Sequence, residues 1–302
     1  MKQALFLVVL VLGVRSAGAQ SLGELPLAAE GDAPGGPEAL AYDGRHIWVA
    51  RPFADAVVRI SASSGVPAGS FSVERPGAVL HALGAIWVAN TRAHTVVKLS
   101  PWDGKRLASY PVGHHPAAMV SDGEHLWVAN SGSNSVSKLD RNGKVLLVAA
   151  VPARPLALAF DGENIWVANN KARSVMKLRA KDGVVLGTFR AGDGPSALAF
   201  DGENIWVANY FSGNVMKLRA ADGAALGTYP TADGAAGLAF DGHNLWVTSA
   251  SANRVIALRR DGSVMASYAT GQRPHQVLFD GANNWLANTA SDSVSSTALG
   301  WK

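Results

Sequence analysis

The sequence contains no cysteine. Its absence excludes disulfide bonds, thiol catalysis and cysteine-ligated metals, so core burial and strand pairing must hold the fold. Long apolar runs are also lacking, because no stretch approaches the roughly 20 residues that a membrane-spanning helix needs. An excess of one charge is missing as well, since 27 Lys and Arg stand against 23 Asp and Glu. Because the two signs nearly balance, the net charge is little reason to expect a nucleic-acid or membrane partner.

The first residues form the pattern of a secretory signal. Lys2 precedes an apolar run over residues 4–14, and Ala17-Gly18-Ala19 stands just before Gln20. A charged start, a short apolar stretch and an Ala-x-Ala site are typical of a cleaved signal peptide. We therefore expect a signal peptide over residues 1–19, cleaved after Ala19, and a secreted or periplasmic protein. Cleavage leaves 25 basic against 23 acidic residues, a net charge of +2.

What the sequence does contain is a repeat. Its tryptophans recur 39 or 40 residues apart, and a period of roughly 20–50 residues indicates a repeat architecture. Three copies read Asp-Gly, two variable residues, then Ile or Leu followed by Trp-Val-Ala-Asn, and the other four depart from this pattern at one or two positions. The seven repeat tryptophans are Trp48, Trp87, Trp127, Trp166, Trp206, Trp246 and Trp285. The chain after the signal is therefore built from seven similar units.

Each repeat divides into four short strands. In the fifth repeat we predict strands over residues 197–200, 205–209, 214–218 and 226–230, with Asp-Gly turns between them. Four antiparallel strands per roughly 40 residues match a propeller blade, and no segment shows the 3.6-residue apolar period of a helix. The predicted fold class is all-β: a seven-bladed β-propeller of four-stranded antiparallel blades.

Two features of the repeat predict scaffold positions. The segment Ile-Trp-Val-Ala is apolar on both faces, which indicates a strand buried between neighbouring blades. We expect its Trp to pack between the blades. The third strand carries one cation in five repeats, which we interpret as a solvated or snorkelling structural position. These cations are Arg59, Lys98, Lys138, Lys177 and Lys217.

The seventh repeat supplies three strands, over residues 277–279, 284–288 and 293–299. The segment Leu22-Gly23-Glu24-Leu25-Pro26 resembles the fourth strand Leu226-Gly227-Thr228-Tyr229-Pro230. We expect this N-terminal strand to complete the last blade, which removes an exposed sheet edge. Residues 20–302 then form a single propeller domain.

The repeat pattern resembles secreted propellers of the YVTN type and is similar to the streptogramin (virginiamycin B) lyase superfamily. The resemblance covers nearly all of the chain after residue 19 and implies the propeller fold. The lyases open a cyclic antibiotic by elimination, with a histidine base beside magnesium that glutamates hold in a Glu-x-His segment. This sequence contains no Glu-x-His segment, and no glutamate follows Glu203.

Candidate ligand-binding residues lie on the face that carries the loops between second and third strands and between blades. The position just before each first strand is cationic or titratable in four blades, and Arg side chains bind carboxylate or phosphate in forked geometry. The second-to-third-strand loops add Arg51, Arg92, His94, Lys171, Arg173, Tyr210 and Phe211. The expected site consists of Arg75, His115, Arg154, Arg273, His275, Glu38, Tyr210 and Phe211. We expect a small anionic ligand there, with a glycan or a protein partner left open.

The favoured function is a non-enzymatic binding or interaction module, expected to be monomeric. We assign no catalytic residue and no cofactor, because no catalytic motif is present. His114 and His115 are adjacent on an extended segment and point in opposite directions, so no metal site is expected there.

Two alternatives stay open at this point. One is a metal-assisted lyase or hydrolase with His275 or His115 as base, which alone requires a divalent metal. The other is single-stranded nucleic acid binding by Arg173, Tyr210 and Phe211, since basic and aromatic loop residues can pair and stack with a strand.

Overall fold

The computed structural model describes residues 21–27 and 35–301. The predicted signal peptide, residues 1–19, lies outside them. The described residues form 28 β-strands in seven four-stranded antiparallel sheets. Within these two ranges, no helix is long and apolar enough to cross a membrane.

The strands are numbered along the chain. The N-terminal strand and the first two sheets are β1 Leu22–Pro26, β2 Ala39–Tyr42, β3 His46–Arg51, β4 Ala56–Ser61, β5 Pro67–Ser72, β6 Pro76–Ala82, β7 Ala85–Asn90, β8 Thr95–Leu99 and β9 Arg106–Pro111. The next two sheets are β10 Pro116–Ser121, β11 Leu126–Asn130, β12 Ser135–Leu139, β13 Val145–Ala150, β14 Pro155–Phe160, β15 Asn164–Asn169, β16 Ser174–Arg179 and β17 Val185–Arg190. The last three are β18 Pro195–Phe200, β19 Asn204–Asn209, β20 Asn214–Arg219, β21 Ala225–Pro230, β22 Ala235–Phe240, β23 Leu245–Ser249, β24 Arg254–Leu258, β25 Val264–Ala269, β26 Pro274–Phe279, β27 Asn284–Asn288 and β28 Ser293–Trp301.

Six sheets consist of four consecutive strands in chain order, which we number blade 1 (β2–β5) to blade 6 (β22–β25). Blade 7 has the order β26-β27-β28-β1, so the N-terminal strand is its outermost member. The first strands of neighbouring blades contact one another around the whole ring, including β2 with β26. The seven-bladed propeller, its strand count and its closure by the N-terminal strand are therefore confirmed.

The pairing of β1 with β28 closes the ring. Leu25 lies opposite Val294 and Pro26 opposite Ser293, in antiparallel register. The carboxylate of Glu24 accepts hydrogen bonds from the hydroxyls of Ser291 and Ser293. Backbone pairing and side-chain contacts thus both join the two ends of the propeller.

The second strand of each blade forms the core. Every residue of β7, β15 and β19 is buried, and the repeat tryptophans are at most 7% exposed. Trp206 of blade 5 packs with Leu238 and Val247 of blade 6. The prediction that the repeated Trp packs between blades is confirmed.

The aspartate of the Asp-Gly turn has a second role besides forming the turn. In six blades its carboxylate accepts a hydrogen bond from the indole Nε1 of the Trp five residues later. The six distances lie between 2.7 and 2.9 Å. In blade 2 the turn lacks the aspartate, and Trp87 donates to the carbonyl oxygen of Ala82 instead. Each Asp–Trp pair therefore fixes the buried indole from the turn side of its own blade.

Four of these turn carboxylates have a pKa below the usual value: Asp43, Asp122, Asp201 and Asp241. At Asp201 burial alone would raise the pKa, but the hydrogen bonds from the Trp206 indole and the Asn204 and Glu203 amides outweigh it. A lowered pKa in the folded state means that the folded protein favours the ionised carboxylate. The resulting stabilisation is present above the pKa of the unfolded chain and is lost as pH falls through the folded pKa.

We therefore expect the melting temperature to fall as pH drops below about 4, the unfolded pKa of Asp. Thermal melts between pH 5 and pH 2.5 measure this fall. Asp201→Asn should be less stable at pH 7 and show a smaller acid loss, because the ionised acceptor is gone. The control Asp233→Asn alters an exposed carboxylate and should keep the wild-type profile. A melting temperature that is constant from pH 5 to pH 2.5 would contradict this role of the aspartates.

The third-strand cations are inter-blade contacts. Lys138 Nζ donates to the carbonyl oxygen of Ala180 at 2.7 Å, and Lys177 Nζ to that of Ala220 at 2.6 Å. Each ammonium also lies over the Trp of its own blade, 5.3 and 5.2 Å from the ring centroids. The structural interpretation is confirmed, but a solvated position is wrong for Lys138 and Lys177. Both are buried because their ammonium groups bond to the next blade.

Arg51 departs from the repeat, since asparagine ends the second strand in most other blades. Its guanidinium is buried and lies 2.7 Å from the carboxylate of Asp292, also buried, in blade 7. Arg51 Nε and Asp292 Oδ1 have no hydrogen-bond partner among the described residues. Arg51 therefore belongs to the junction between blades 1 and 7, and the expectation that it contributes to the ligand face is wrong.

Candidate functional site at the mouth of the central channel

The first strands of the seven blades surround a central cavity of about 170 Å³. In each blade the residues that line the cavity begin directly after one position, which is occupied by Pro37, Pro76, Pro116, Pro155, Pro195, Ala235 or Pro274. The next residue of each blade forms what we call the mouth ring: Glu38, Gly77, Ala117, Leu156, Ser196, Ala236 and His275. The residue after it forms the second ring: Ala39, Ala78, Ala118, Ala157, Ala197, Gly237 and Gln276. Below these, Val79, Met119, Leu158, Leu198 and Leu238 line the cavity.

Most of this wall is small or apolar. Small residues at the first strand allow seven strands to converge on the axis, and alanine or glycine fills six of the seven positions in the second ring. The wall of blades 2 to 6 contains one polar side chain, Ser196. Its hydroxyl donates to the carbonyl oxygens of Ala235 and Ala208, at 2.9 and 3.3 Å. The polar groups with free hydrogen-bonding capacity must therefore lie elsewhere on the ring.

Polar side chains meet where blade 7 adjoins blade 1. Glu38, His275 and Gln276 all line the cavity there, on strands that ring closure makes neighbours. His275 Nδ1 lies 3.0 Å from the carbonyl oxygen of Glu38. Gln276 Oε1 accepts a 2.6 Å hydrogen bond from the backbone N–H of Leu40. Both side chains of blade 7 are thus oriented by the backbone of blade 1.

These hydrogen bonds determine which polar atoms of Glu38, His275 and Gln276 remain free to bond a ligand. A carbonyl oxygen only accepts, so Nδ1 of the neutral His275 ring carries the proton and Nε2 keeps its lone pair. Gln276 uses its oxygen on Leu40, which leaves its NH₂ group as a donor. Within residues 21–27 and 35–301, the Glu38 carboxylate has no hydrogen bond or ion pair. The mouth therefore offers two acceptors, Nε2 and a carboxylate, beside one donor.

Of the eight residues expected to form the site, the structure brings Glu38 and His275 together at the channel. Tyr210 and Phe211 lie on the second-to-third-strand loop of blade 5, with ring centroids 5.2 Å apart. Phe211 is 70% exposed, and neither aromatic lines the cavity. Gln276 was missed by the sequence reasoning. The sequence could have revealed it, because Gln276 occupies a repeat position that is alanine or glycine in the other six blades.

The four predicted cationic or titratable residues precede the mouth ring and do not line the cavity. All are exposed, and all adopt the left-handed backbone conformation. Their φ angles are 40° at Arg75, 50° at His115, 61° at Arg154 and 56° at Arg273. The equivalent residues of blades 1, 5 and 6 are glycines at positive φ, Gly36, Gly194 and Gly234. The backbone of this loop thus requires the left-handed region in every blade. Arg75, His115, Arg154 and Arg273 form an outer rim around the mouth.

Three histidines meet on the outer rim between blades 2 and 3. The ring centroid of His94 lies 4.5 Å from that of His114 and 5.0 Å from that of His115. The sequence argument that the adjacent pair is extended fails at His115, because its φ of 50° is left-handed. In the part of the chain that the structure describes, no group of three or more His, Asp or Glu side chains could hold a metal ion.

No protein-family model and no curated protein matches this sequence. Solved structures do match its fold. A hydrazine synthase structure from Kuenenia stuttgartiensis aligns with a TM-score of 0.79 and 18% identity, covering 89% of this chain and 98% of that one. A streptogramin B lyase structure aligns with a TM-score of 0.78 and 18% identity, covering 92% and 97%. This chain is structurally similar to these propellers.

A third match is a catalytically inactive His-to-Ala variant of virginiamycin B lyase from Staphylococcus aureus, solved with quinupristin. Its TM-score is 0.78 at 16% identity, and the alignment covers 92% of this chain and 98% of that one. At such identities the likeness concerns the fold, since one propeller architecture hosts many functions. The function of this chain must be argued from its own channel mouth.

Proposed function

We propose that this protein is a ligand-binding propeller that holds a small molecule at the mouth of its central channel. The apolar part of the ligand enters the channel, and its polar group contacts Glu38, His275 and Gln276. The observation that carries the proposal is this polar cluster on a ring whose other polar side chain, Ser196, is already bonded to backbone carbonyl oxygens. A concave apolar site with a few convergent polar groups is the usual form of a small-molecule site. From the N-terminal pattern, we propose that it acts outside the cytoplasm.

The fold comparisons are compatible with this proposal. A propeller of the same architecture, the inactive virginiamycin B lyase variant, was solved with quinupristin, so the fold can present a small-molecule site. We do not carry the lyase reaction over, because the sequence has no Glu-x-His segment and the described residues contain no group of three or more His, Asp or Glu side chains that could hold a metal ion.

Nucleic acid binding is not proposed either. Arg173, the cation that the sequence-based hypothesis groups with Tyr210 and Phe211, forms an ion pair of 2.9 Å with Asp193. A strand of phosphates would have to displace that carboxylate. The channel site requires no such rearrangement.

A channel-filling variant tests the proposal. Leucine is tolerated at the mouth ring as Leu156, so Ala117→Leu with Ala236→Leu should fold normally while narrowing the mouth. In a ligand-observed NMR screen of small amines, alcohols, acids and sugars, compounds that bind the wild type should lose binding to this double variant. The control Ala54→Leu with Ala93→Leu adds the same volume at two exposed loop positions and should keep the bound compounds.

Circular dichroism and thermal melts establish that the three proteins are equally folded. If compounds bind the double variant as well as the wild type, the channel mouth is not the site. If no compound of the screen binds the wild type at millimolar concentration, the small-molecule function itself is overturned.

A further inference from the structure

We infer that the ligand presents a protonated amine to the channel mouth and an aliphatic chain to the channel. This inference rests on the proposed function and adds the chemical class of the ligand. It differs from the anionic ligand expected from the sequence, since the cations behind that expectation lie on the outer rim.

The charge of the cavity wall is negative. Among the residues that line it, Glu38 is the one with a carboxylate, and no Lys or Arg is present. Glu38 is half-buried and forms no ion pair with any described residue. A ligand that covers this carboxylate removes water from it, which is unfavourable unless a partner of opposite charge or a donor replaces the water. A cation meets that requirement, and a carboxylate or phosphate does not.

The hydrogen-bond donors and acceptors at the mouth also favour a cationic ligand group. The Glu38 carboxylate and His275 Nε2 both accept, and an ammonium carries three donors and no acceptor. An anionic group would place its acceptor oxygens against these two acceptors. The NH₂ group of Gln276 remains for a hydroxyl or carbonyl oxygen next to the amine. One side of the mouth is therefore complementary to an ammonium group.

The rim cations do not neutralise this site. Arg75 lies with its guanidinium 5.4 Å from the centre of the Phe53 ring, and Arg75, Arg154 and Arg273 are exposed to solvent. Exposed charges are screened by salt over about 8–10 Å at physiological ionic strength. Their effect on a ligand is therefore weaker than that of a carboxylate in the cavity wall.

The channel wall selects an aliphatic chain. Alanine, leucine and methionine side chains surround the cavity below the mouth ring. A cavity needs only about 10–15 Å³ to admit a water molecule, so the 170 Å³ present here has room for a short alkyl chain. The two parts of the site thus fit an amphiphilic amine.

Three probes of equal chain length test the inference: n-hexylammonium, hexan-1-ol and hexanoate. Isothermal titration calorimetry at pH 7.5 should show n-hexylammonium binding at least about tenfold more tightly than the other two, the size of a charge-assisted hydrogen bond. Glu38→Gln should weaken n-hexylammonium by about tenfold and leave hexan-1-ol unchanged. The matched control Glu74→Gln removes an exposed carboxylate on the same face, outside the cavity wall, and should bind all three probes like the wild type.

The outcomes separate the inference from the proposed function. If hexan-1-ol binds as tightly as n-hexylammonium and the channel-filling variant loses both, the channel site stands and the amine is wrong. If hexanoate binds most tightly, the rim cations dominate and the inference is overturned. Unchanged n-hexylammonium binding in Glu38→Gln overturns it as well. If no probe binds, the inference fails, while the broader screen decides the proposed function.

Discussion

Replacing Arg51 with alanine is expected to destabilise the protein by about 3–5 kcal/mol, the cost of breaking a buried ion pair from one side. The variant leaves the carboxylate of Asp292 buried without its guanidinium. Asp292 Oδ1 already lacks a partner among the described residues, so no second donor compensates. The pair joins blade 1 to blade 7 at the closure of the ring. Unfolding by guanidinium chloride measures the loss, and Asp292→Ala should produce a loss of similar size.

Blades 3 and 4 provide the matched control. Asn169 of blade 4 and Asn134 of blade 3 stand at the positions of Arg51 and Asp292, and Asn134 has the same left-handed backbone as Asp292. The double variant Arg51→Asn with Asp292→Asn removes both charges and restores the residues of an ordinary blade. It should be more stable than either alanine variant. A double variant that loses as much as the two alanine losses combined, or an Arg51→Ala variant within 1 kcal/mol of wild type, contradicts the role of the pair.

Trp206→Ala is expected to cost about 3–5 kcal/mol, as a large aromatic truncation in a close-packed core does. The indole is 1% exposed and packs against Leu238 and Val247 of the next blade. Its removal also takes the indole donor from Asp201, 2.7 Å away, and the ring surface from Lys217, whose ammonium lies 4.9 Å from the centroid. The truncation therefore leaves a cavity and also removes contacts from the Asp201 carboxylate and the Lys217 ammonium. Chemical unfolding at pH 7 measures the cost.

Trp102→Ala is the control for that experiment. This indole lies in the turn between the third and fourth strands of blade 2 and is 79% exposed. Surface substitutions of this kind usually change stability by less than about 0.5 kcal/mol. If both alanine variants unfold at the same denaturant concentration, the repeated tryptophan does not have the inter-blade role assigned to it.

The propeller was predictable from sequence because its determinants are local and repeated. The Asp-Gly turns set the hairpins, and the apolar Ile-Trp-Val-Ala phrase determines which strand is buried. In the fifth repeat the predicted strands agree with β18 to β21 to within two residues at each end. The likeness of Leu22–Pro26 to a fourth strand was enough to predict the closure.

The site was only partly predictable, because its residues come from different blades. Glu38 and His275 are 237 residues apart in the chain and meet because closure places β2 beside β26. The sequence could assign loops to a face, but it could not show that residues before the mouth ring take the left-handed conformation. Nor could it show that Arg75, Arg154 and Arg273 stay outside the cavity wall. Arg51 was misassigned for a related reason. Its position beside a loop suggested a ligand contact, but its partner, Asp292, lies in another blade.

A crystal structure of the protein soaked with n-hexylammonium tests the central claim most directly. We expect the ammonium nitrogen at hydrogen-bond distance, about 2.7–3.2 Å, from the Glu38 carboxylate or His275 Nε2, with the alkyl chain between the first strands. A ligand bound on the outer rim beside Arg75, Arg154 or Arg273, or a channel without ligand at a saturating concentration, would contradict it.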